Sequence, residues 1–419
     1  MANYTSLKTI FHRSSGDSRH AVQNELDARR SSAATLRYPY LVGDEQLFVV
    51  MHLELQAQME RVWRNELIIE QLWTSLPRAA QDHYLISLLV EEIHSTNEIE
   101  NVHSTRQEVE EALHAVSRPA TAHSSQNKRF HEMARTYHLL FAGQHGTPDT
   151  LPRSVEELRK LYDKLLSNEI SSENRLDGRL FRAGSVAIWD GSHQPAHRGI
   201  AGEKDIISRL EIMLDISNPE RSHGLVHAIV AHFMLEHIHP FYDGNGRFGR
   251  FLLALQLRTL LSVPTALSLT AEIMRQKRSY YKAFTDLENP MYKAEASFFV
   301  ASMLTMLVNA QAQLEESLRE RLVKLDRLWK TTKVLRTDEH NGLTDRQMDI
   351  LFLLGQIHLF GPRSGANLDE VAGFIEKSKQ TVRQDFKDLT SAEYVTTLSK
   401  KPLVFTLTTQ GQELLGLDN

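Results

Sequence analysis

Apolar residues return every three to four positions along most of this chain, which predicts helices. From about Asp44 to Val116 the pattern is helical. "EQLFVVMHLELQAQMERVWRNELIIEQLW" and "AQDHYLISLLVEEIHSTNEIENV" both carry it. Residues 1–43 are polar without sustained periodicity and are expected to form a partly ordered arm. After the polar break "SRPATAHSSQN", helices resume through "RFHEMARTYHLLFAG" and "SVEELRKLYDKLLS". In "RLFRAGSVAIWDGSHQPAHRGI" β-favouring residues flank a Gly-Ser turn signal, and a short hairpin is predicted from Leu180 to about Gly199. Helices return from about Ala201 to Glu236 and from Arg247 to about Arg327. Between them Pro240 to Gly246 must be a loop, because Pro and closely spaced glycines are poor helix interiors.

The tail changes period. "LTDRQMDILFLLGQ", "NLDEVAGFIE" and "SKQTVRQDFKDLTSAEY" read as three short helices, with Ser378 as an N-cap. "YVTTLS" and "LVFTLT" read as two strands about a turn. Three helices followed by a hairpin is a winged helix-turn-helix layout. The fold class is therefore mainly α, with a small β-hairpin and a C-terminal winged-helix domain. The division expected is an arm over 1–43, a helical region over 44–120, a core over 121–330 and the tail domain over 338–419. The last two are separated by the polar stretch Thr331 to Gly342.

Composition narrows the functional classes. With 419 residues and 41% hydrophobic content there is material for sizeable cores. A formal net charge of -5 supplies no global basic field for nucleic acid, so such a role needs a local patch. The absence of cysteine excludes disulfides and cysteine-based zinc sites. The N-terminus lacks a secretory apolar segment, and no apolar run reaches membrane-spanning length without a charge or His. A cytoplasmic protein with no membrane partner is expected.

One break between apolar helices carries charges of both signs: "HPFYDGNGRFGR", His239 to Arg250. Gly244 and Gly246 let a ligand approach the backbone. Free amides at a helix N-terminus make an anion cradle. Arg247 and Arg250 lie on one face of the following helix, where cations oppose its dipole unless an anion lies between. Asp243 would repel phosphate unless a divalent cation joins them. His239 is placed as general base. The set predicts a nucleoside triphosphate with a divalent metal, and a protein or water hydroxyl deprotonated by His239.

This run resembles the signature of the Fic (filamentation induced by cAMP) family, His-x-Phe-x-Asp/Glu-Gly-Asn-Gly-Arg-x-x-Arg, at every specified position. The resemblance implies a Fic-type helical catalytic core over 121–330 and transfer of AMP from ATP to a protein hydroxyl. It implies His239 as base, Phe241 as the loop's core anchor and Asp243 as holder of Mg²⁺ or Mn²⁺. Gly244, Asn245 and Gly246 would form the hole for the α- and β-phosphates. Arg247 would meet the β-phosphate and Arg250 the γ-phosphate. Upstream, "STNEIEN" matches the family's inhibitory motif, Ser/Thr-x-x-x-Glu-Gly/Asn, at Thr96, Glu100 and Asn101. By that resemblance the chain belongs to the class with an N-terminal inhibitory helix, in which Glu100 pairs with Arg250 and denies it to ATP. Removal of AMP with help from Glu100, or another nucleotidyl transfer, is an alternative on the same core.

The predicted hairpin matches the family's flap, whose edge holds a target segment; Val186 and Ile188 are assigned to that edge. His193 and His197 are read as incidental rather than as metal ligands. In "RQKRSYYKAF", one of Tyr280 and Tyr281 covers adenine by resemblance, or the pair packs into the core. The asparagine usual just upstream is missing, which leaves the choice of nucleotide open. The spacing of five between His227, His232 and His237 argues against a metal site. In the tail, Lys379, Gln380, Thr381 and Arg383 could face DNA, and the competing function class is a DNA-binding regulator whose core senses nucleotide. The implied partners are ATP, an unidentified target protein, DNA through the tail and, from the family's habit of self-association, a second copy of the chain.

Overall fold

The computed structural model describes residues 4–117, 130–142, 151–188, 197–218, 223–338, 342–362, 365–400 and 403–417. The chain divides into two compact units. One comprises Met1–Leu67 and Glu91–Ala312, the other Ile68–Val90 and Gln313–Asn419.

The first residues are not an arm. They form α1 (Leu7–Arg13), α2 (Ser18–Ser31) and the first strand of a hairpin, β1 (Thr35–Val42) with β2 (Glu45–Val50). Ser6 caps α1 by accepting the Thr9 N–H, and Asp17 caps α2 by accepting from Arg19 and His20. Leu7, Val22, Leu26, Phe48 and Val50 make a small core. Arg29 closes it through a buried 2.7 Å ion pair with Glu295. The anchor is tertiary, so local periodicity does not reveal it. The segment Glu45–Val50, read as the start of a helix, is a strand. Its four consecutive buried residues, Leu47 to Val50, suit either structure, and pairing with β1 decides.

Helices follow: α3 (Leu53–Thr74), α4 (Arg78–Ile99), α5 (Arg106–Ser117), α6 (His131–Tyr137) and α7 (Val155–Leu166). A two-stranded sheet, β3 (Ala187–Ile188) with β4 (His197–Arg198), stands where the hairpin was predicted; its tip, with His193, lies outside the described residues. Then come α8 (Glu203–Ile216), α9 (Gly224–Ile238), α10 (Asn245–Arg258), α11 (Val263–Arg275), α12 (Lys277–Glu288) and α13 (Ser297–Thr337). The helical stretch predicted from Arg247 to about Arg327 comprises four helices, with breaks at Ser262, Gln276 and Asn289. Helix α9 is apolar nearly all round and buried from Leu225 to Leu235 except at His227. It packs against α8 and α10. One expectation fails: α13 contains an 18-residue window of mean hydropathy 1.2, long and apolar enough by length and composition to cross a membrane. Of that window 56% is buried within the protein, as in a core helix.

In the second unit, α14 (Asp345–Phe360), α15 (Leu368–Phe374) and α16 (Lys379–Ser391) pack with a sheet of order β5 (Gly365–Asn367), β7 (Leu403–Leu407), β6 (Val395–Lys400), and α17 (Thr409–Leu414) ends the chain's described helices. All pairings are antiparallel. Ile69, Leu76, Ala80 and Tyr84 join Leu351, Leu354, Phe386 and Phe405 in its core. Ser378 caps α16 through the Thr381 N–H.

Candidate active site

Helix α9 ends at Ile238 because His239 turns left-handed, at φ 52° and ψ 62°, with its N–H still bonded to the Leu235 carbonyl. A positive φ at a residue other than Gly is uncommon and marks a position held by its surroundings. Arg182 does the holding. Its buried guanidinium donates to the carbonyls of His239 (2.7 Å), Gly184 (2.6 Å), Ile200 (2.7 Å) and Ile238 (3.2 Å). Burial pushes the His239 imidazole down to about 4, and His197, with ring centroids 6.2 Å apart, adds to this. The ring is therefore neutral and able to accept a proton at pH 7.

The loop is pinned from inside. Phe241 is fully buried and stacks on Tyr162 at 3.6 Å between centroids. Asn245 spends its side chain on the loop: it accepts the Phe241 N–H (3.0 Å) and donates to the Phe241 carbonyl (2.8 Å). What Asn245 offers an anion is thus its backbone. Gly244 adopts φ +77°, and no side chain caps the N-terminus of α10. The amides of that first turn remain available to an anion. Asp243 accepts the Gly244 N–H at 2.6 Å and stays 41% exposed. Among the described residues no three His, Cys, Asp or Glu cluster as a metal site. An ion on Asp243 would therefore complete its shell with water and phosphate, as Mg²⁺ commonly does.

The two arginines are both partnered. Arg250, 1% exposed, donates through Nε to the Thr96 hydroxyl (2.9 Å) and through one terminal nitrogen to the Thr96 carbonyl (3.2 Å) and Glu100 Oε1 (2.7 Å). Burial would raise the Glu100 carboxyl, but the Arg250 guanidinium wins and holds it below its usual range. That carboxylate also fills the space a β-carbon on Gly246 would need. Asn101 ends the motif at φ 57°, a conformation that suits Gly or Asn and few others. Arg247 is tied to Glu169 at 2.8 Å. Glu169 lies 78 residues away in a loop, and no spacing rule pointed to it.

A cavity of about 690 Å³ opens beside these groups, lined among others by Glu100, Glu236, His239, Arg250 and Tyr281. The structure separates the tyrosine pair. Tyr280 is buried and its hydroxyl meets His232 Nε2 at 2.8 Å, whereas Tyr281 is 43% exposed. His197 is fixed as well, with Nδ1 2.8 Å from Glu288 and Nε2 donating to the His237 carbonyl at 3.0 Å. Val186 sits beside the β3–β4 pair, its carbonyl accepting from Gly199. Ile188 pairs with His197 in the sheet.

Residues 152–257 match the model of the Fic/DOC family. The chain carries a Fic domain. This Fic domain contains the whole His239–Arg250 run, while Thr96 and Glu100 lie outside the matched segment. The protein adenylyltransferase Fic of Drosophila virilis is 26% identical over 218 residues, 52% of this chain and 40% of that protein. Its namesake in Drosophila ananassae is 29% identical over 136 residues, 32% of this chain and 24% of that protein. The similarity thus spans less than half the length of these relatives. A solved Fic family protein from Desulfovibrio desulfuricans G20 overlays with a TM-score of 0.48 at 20% identity, covering 86% of this chain and 96% of its own.

Proposed function

We propose that this protein transfers AMP from ATP to a hydroxyl side chain of another protein, restrained by its own Glu100. The observation that carries the reading is His239 set immediately before an uncapped, glycine-lined helix N-terminus. The target hydroxyl gives its proton to His239, and its oxygen attacks the α-phosphorus. The bond from the α-phosphorus to the bridging oxygen breaks and pyrophosphate leaves. The α10 amides and the two arginines answer the charge that develops on the phosphates. Mg²⁺ or Mn²⁺ held by Asp243 would neutralise phosphate oxygens when bound. Arg250 serves the γ-phosphate only after Glu100 lets go. The names of the Drosophila relatives point the same way. Incubation with Mg²⁺ and α-labelled ATP tests it: label on protein that vanishes in His239→Ala supports transfer, and its absence in both the wild type and Glu100→Gly removes the reading.

For the C-terminal unit we propose DNA contact through α16. Its elements follow the chain order of a winged helix, and Lys379, Arg383 and Lys387 are exposed at four-residue spacing, one face of the helix. The exposed Lys379–Asp369 pair is a weak competitor for phosphate. A gel shift at low salt decides this, since no binding even to nonspecific duplex removes it.

A further inference from the structure

Glu236 lies in the last turn of α9, three residues before His239, and lines the same cavity. Its Oε1 has no hydrogen-bond partner among the described residues. The carboxyl occupies the space that a β-carbon on Gly249 would fill, as Glu100 does at Gly246. The two carboxyls therefore line one face of α10, about 4.5 Å apart along its axis. Burial pushes the Glu236 carboxyl up to about 7. A buried acceptor without a donor, as Oε1 is, is costly, and the carboxyl gains if a ligand supplies a donor where it meets the cavity.

The position says which part of a ligand this is. Glu236 lines the cavity together with His239, Arg250 and Tyr281. The Gly249 position that Glu236 covers also faces His232, which holds the Tyr280 hydroxyl. Glu236 thus stands between the first turn of α10, where phosphates are assigned, and the tyrosines of α12. In a nucleotide the group between phosphate and base is the sugar. We propose that Glu236 receives the vicinal 2′- and 3′-hydroxyls of a ribose and makes the site select ribonucleotides over deoxyribonucleotides. A carboxylate accepting from ribose is also how dinucleotide-binding folds hold the 2′-hydroxyl. The inference rests on reading the cavity as an ATP site.

Calorimetric titration of the wild type and Glu100→Gly with Mg²⁺ and ATP, 2′-deoxy-ATP or 3′-deoxy-ATP tests it. ATP should bind about tenfold or more tightly than either analogue. In Glu236→Ala the three nucleotides should bind within about twofold of one another, while Glu236→Gln, which keeps the shape and one acceptor, retains part of the preference. Equal affinities in the unsubstituted protein overturn the inference without needing any variant, and so does a preference for ATP that persists in Glu236→Ala. In both results ATP still binds. If no nucleotide binds in either background, the ATP reading falls and this inference with it.

Discussion

Glu100 Oε1 accepts a hydrogen bond from Arg250 at 2.7 Å, and the same carboxylate covers the open backbone of Gly246. One side chain just past the end of α4 thus meets both the Arg250 guanidinium and the open face of the first turn of α10. Glu100→Gly should free both and raise labelling by α-labelled ATP on the order of 100-fold, the scale on which a single charge-stabilising contact acts. Labelling no higher than wild type would show that the pairing is not a brake.

Gly246→Ala separates the two halves of that contact. A β-carbon there would meet the flexible end of Glu100 rather than backbone, so the carboxylate can move aside. Alanine is about 1 kcal/mol better than glycine inside a helix, but moving the carboxylate disturbs its pair with the buried Arg250, so the melting temperature should fall. Labelling should nevertheless stay low, because the added methyl stands where phosphate must approach. A Gly246→Ala protein as active as Glu100→Gly would exclude Gly246 from the cradle.

His239 should remain neutral far below the usual range of histidine. Its protonation can be followed by the ring resonances of isotopically labelled histidine, assigned with His239→Ala. Half-protonation near pH 4 is expected from its burial and from His197 nearby. A midpoint near 6.5 would mean that the ring is solvated and that the base is not preset.

Glu92 gives a test on stability alone. It is fully buried on α4 and accepts from Tyr137 (3.1 Å) and Thr270 (3.0 Å). Burial pushes it up to about 8. Between about pH 4.5 and 8 the folded state therefore holds a proton that the unfolded chain has lost, and stability falls as pH rises through that window. Glu92→Gln keeps an acceptor for both hydroxyls and cannot ionise. Its melting temperature should exceed the wild type's by a few degrees at pH 9 and match it at pH 5. An equal difference at both pH values would assign the effect to packing.

The loop from His239 to Arg250 was legible because its chemistry is local: glycines, a helix start and charges within a dozen residues. Thr96 and Glu100 were legible as one helical face, and the hairpin at Leu180 to Gly199 as a pair of β-favouring runs. What escaped was held by distance. Glu169 reaches Arg247, and Glu295 reaches Arg29, through folds that no period encodes. Strand β2 escaped because a short apolar run has no period of its own. The αL turn at His239 escaped because nothing in the residue type demands it; Arg182 imposes it from more than fifty positions upstream.

Arg182 also joins what the chemistry treats as separate. Its fork grips the carbonyl of the base and those of Gly184 and Ile200, which bracket the β3–β4 pair. A peptide added to the edge of that pair would therefore pull, through one guanidinium, on the backbone that aims the imidazole. On the proposed activity, docking of an acceptor there and alignment of the imidazole would be mechanically a single event, so a poorly seated substrate would meet a misaimed histidine.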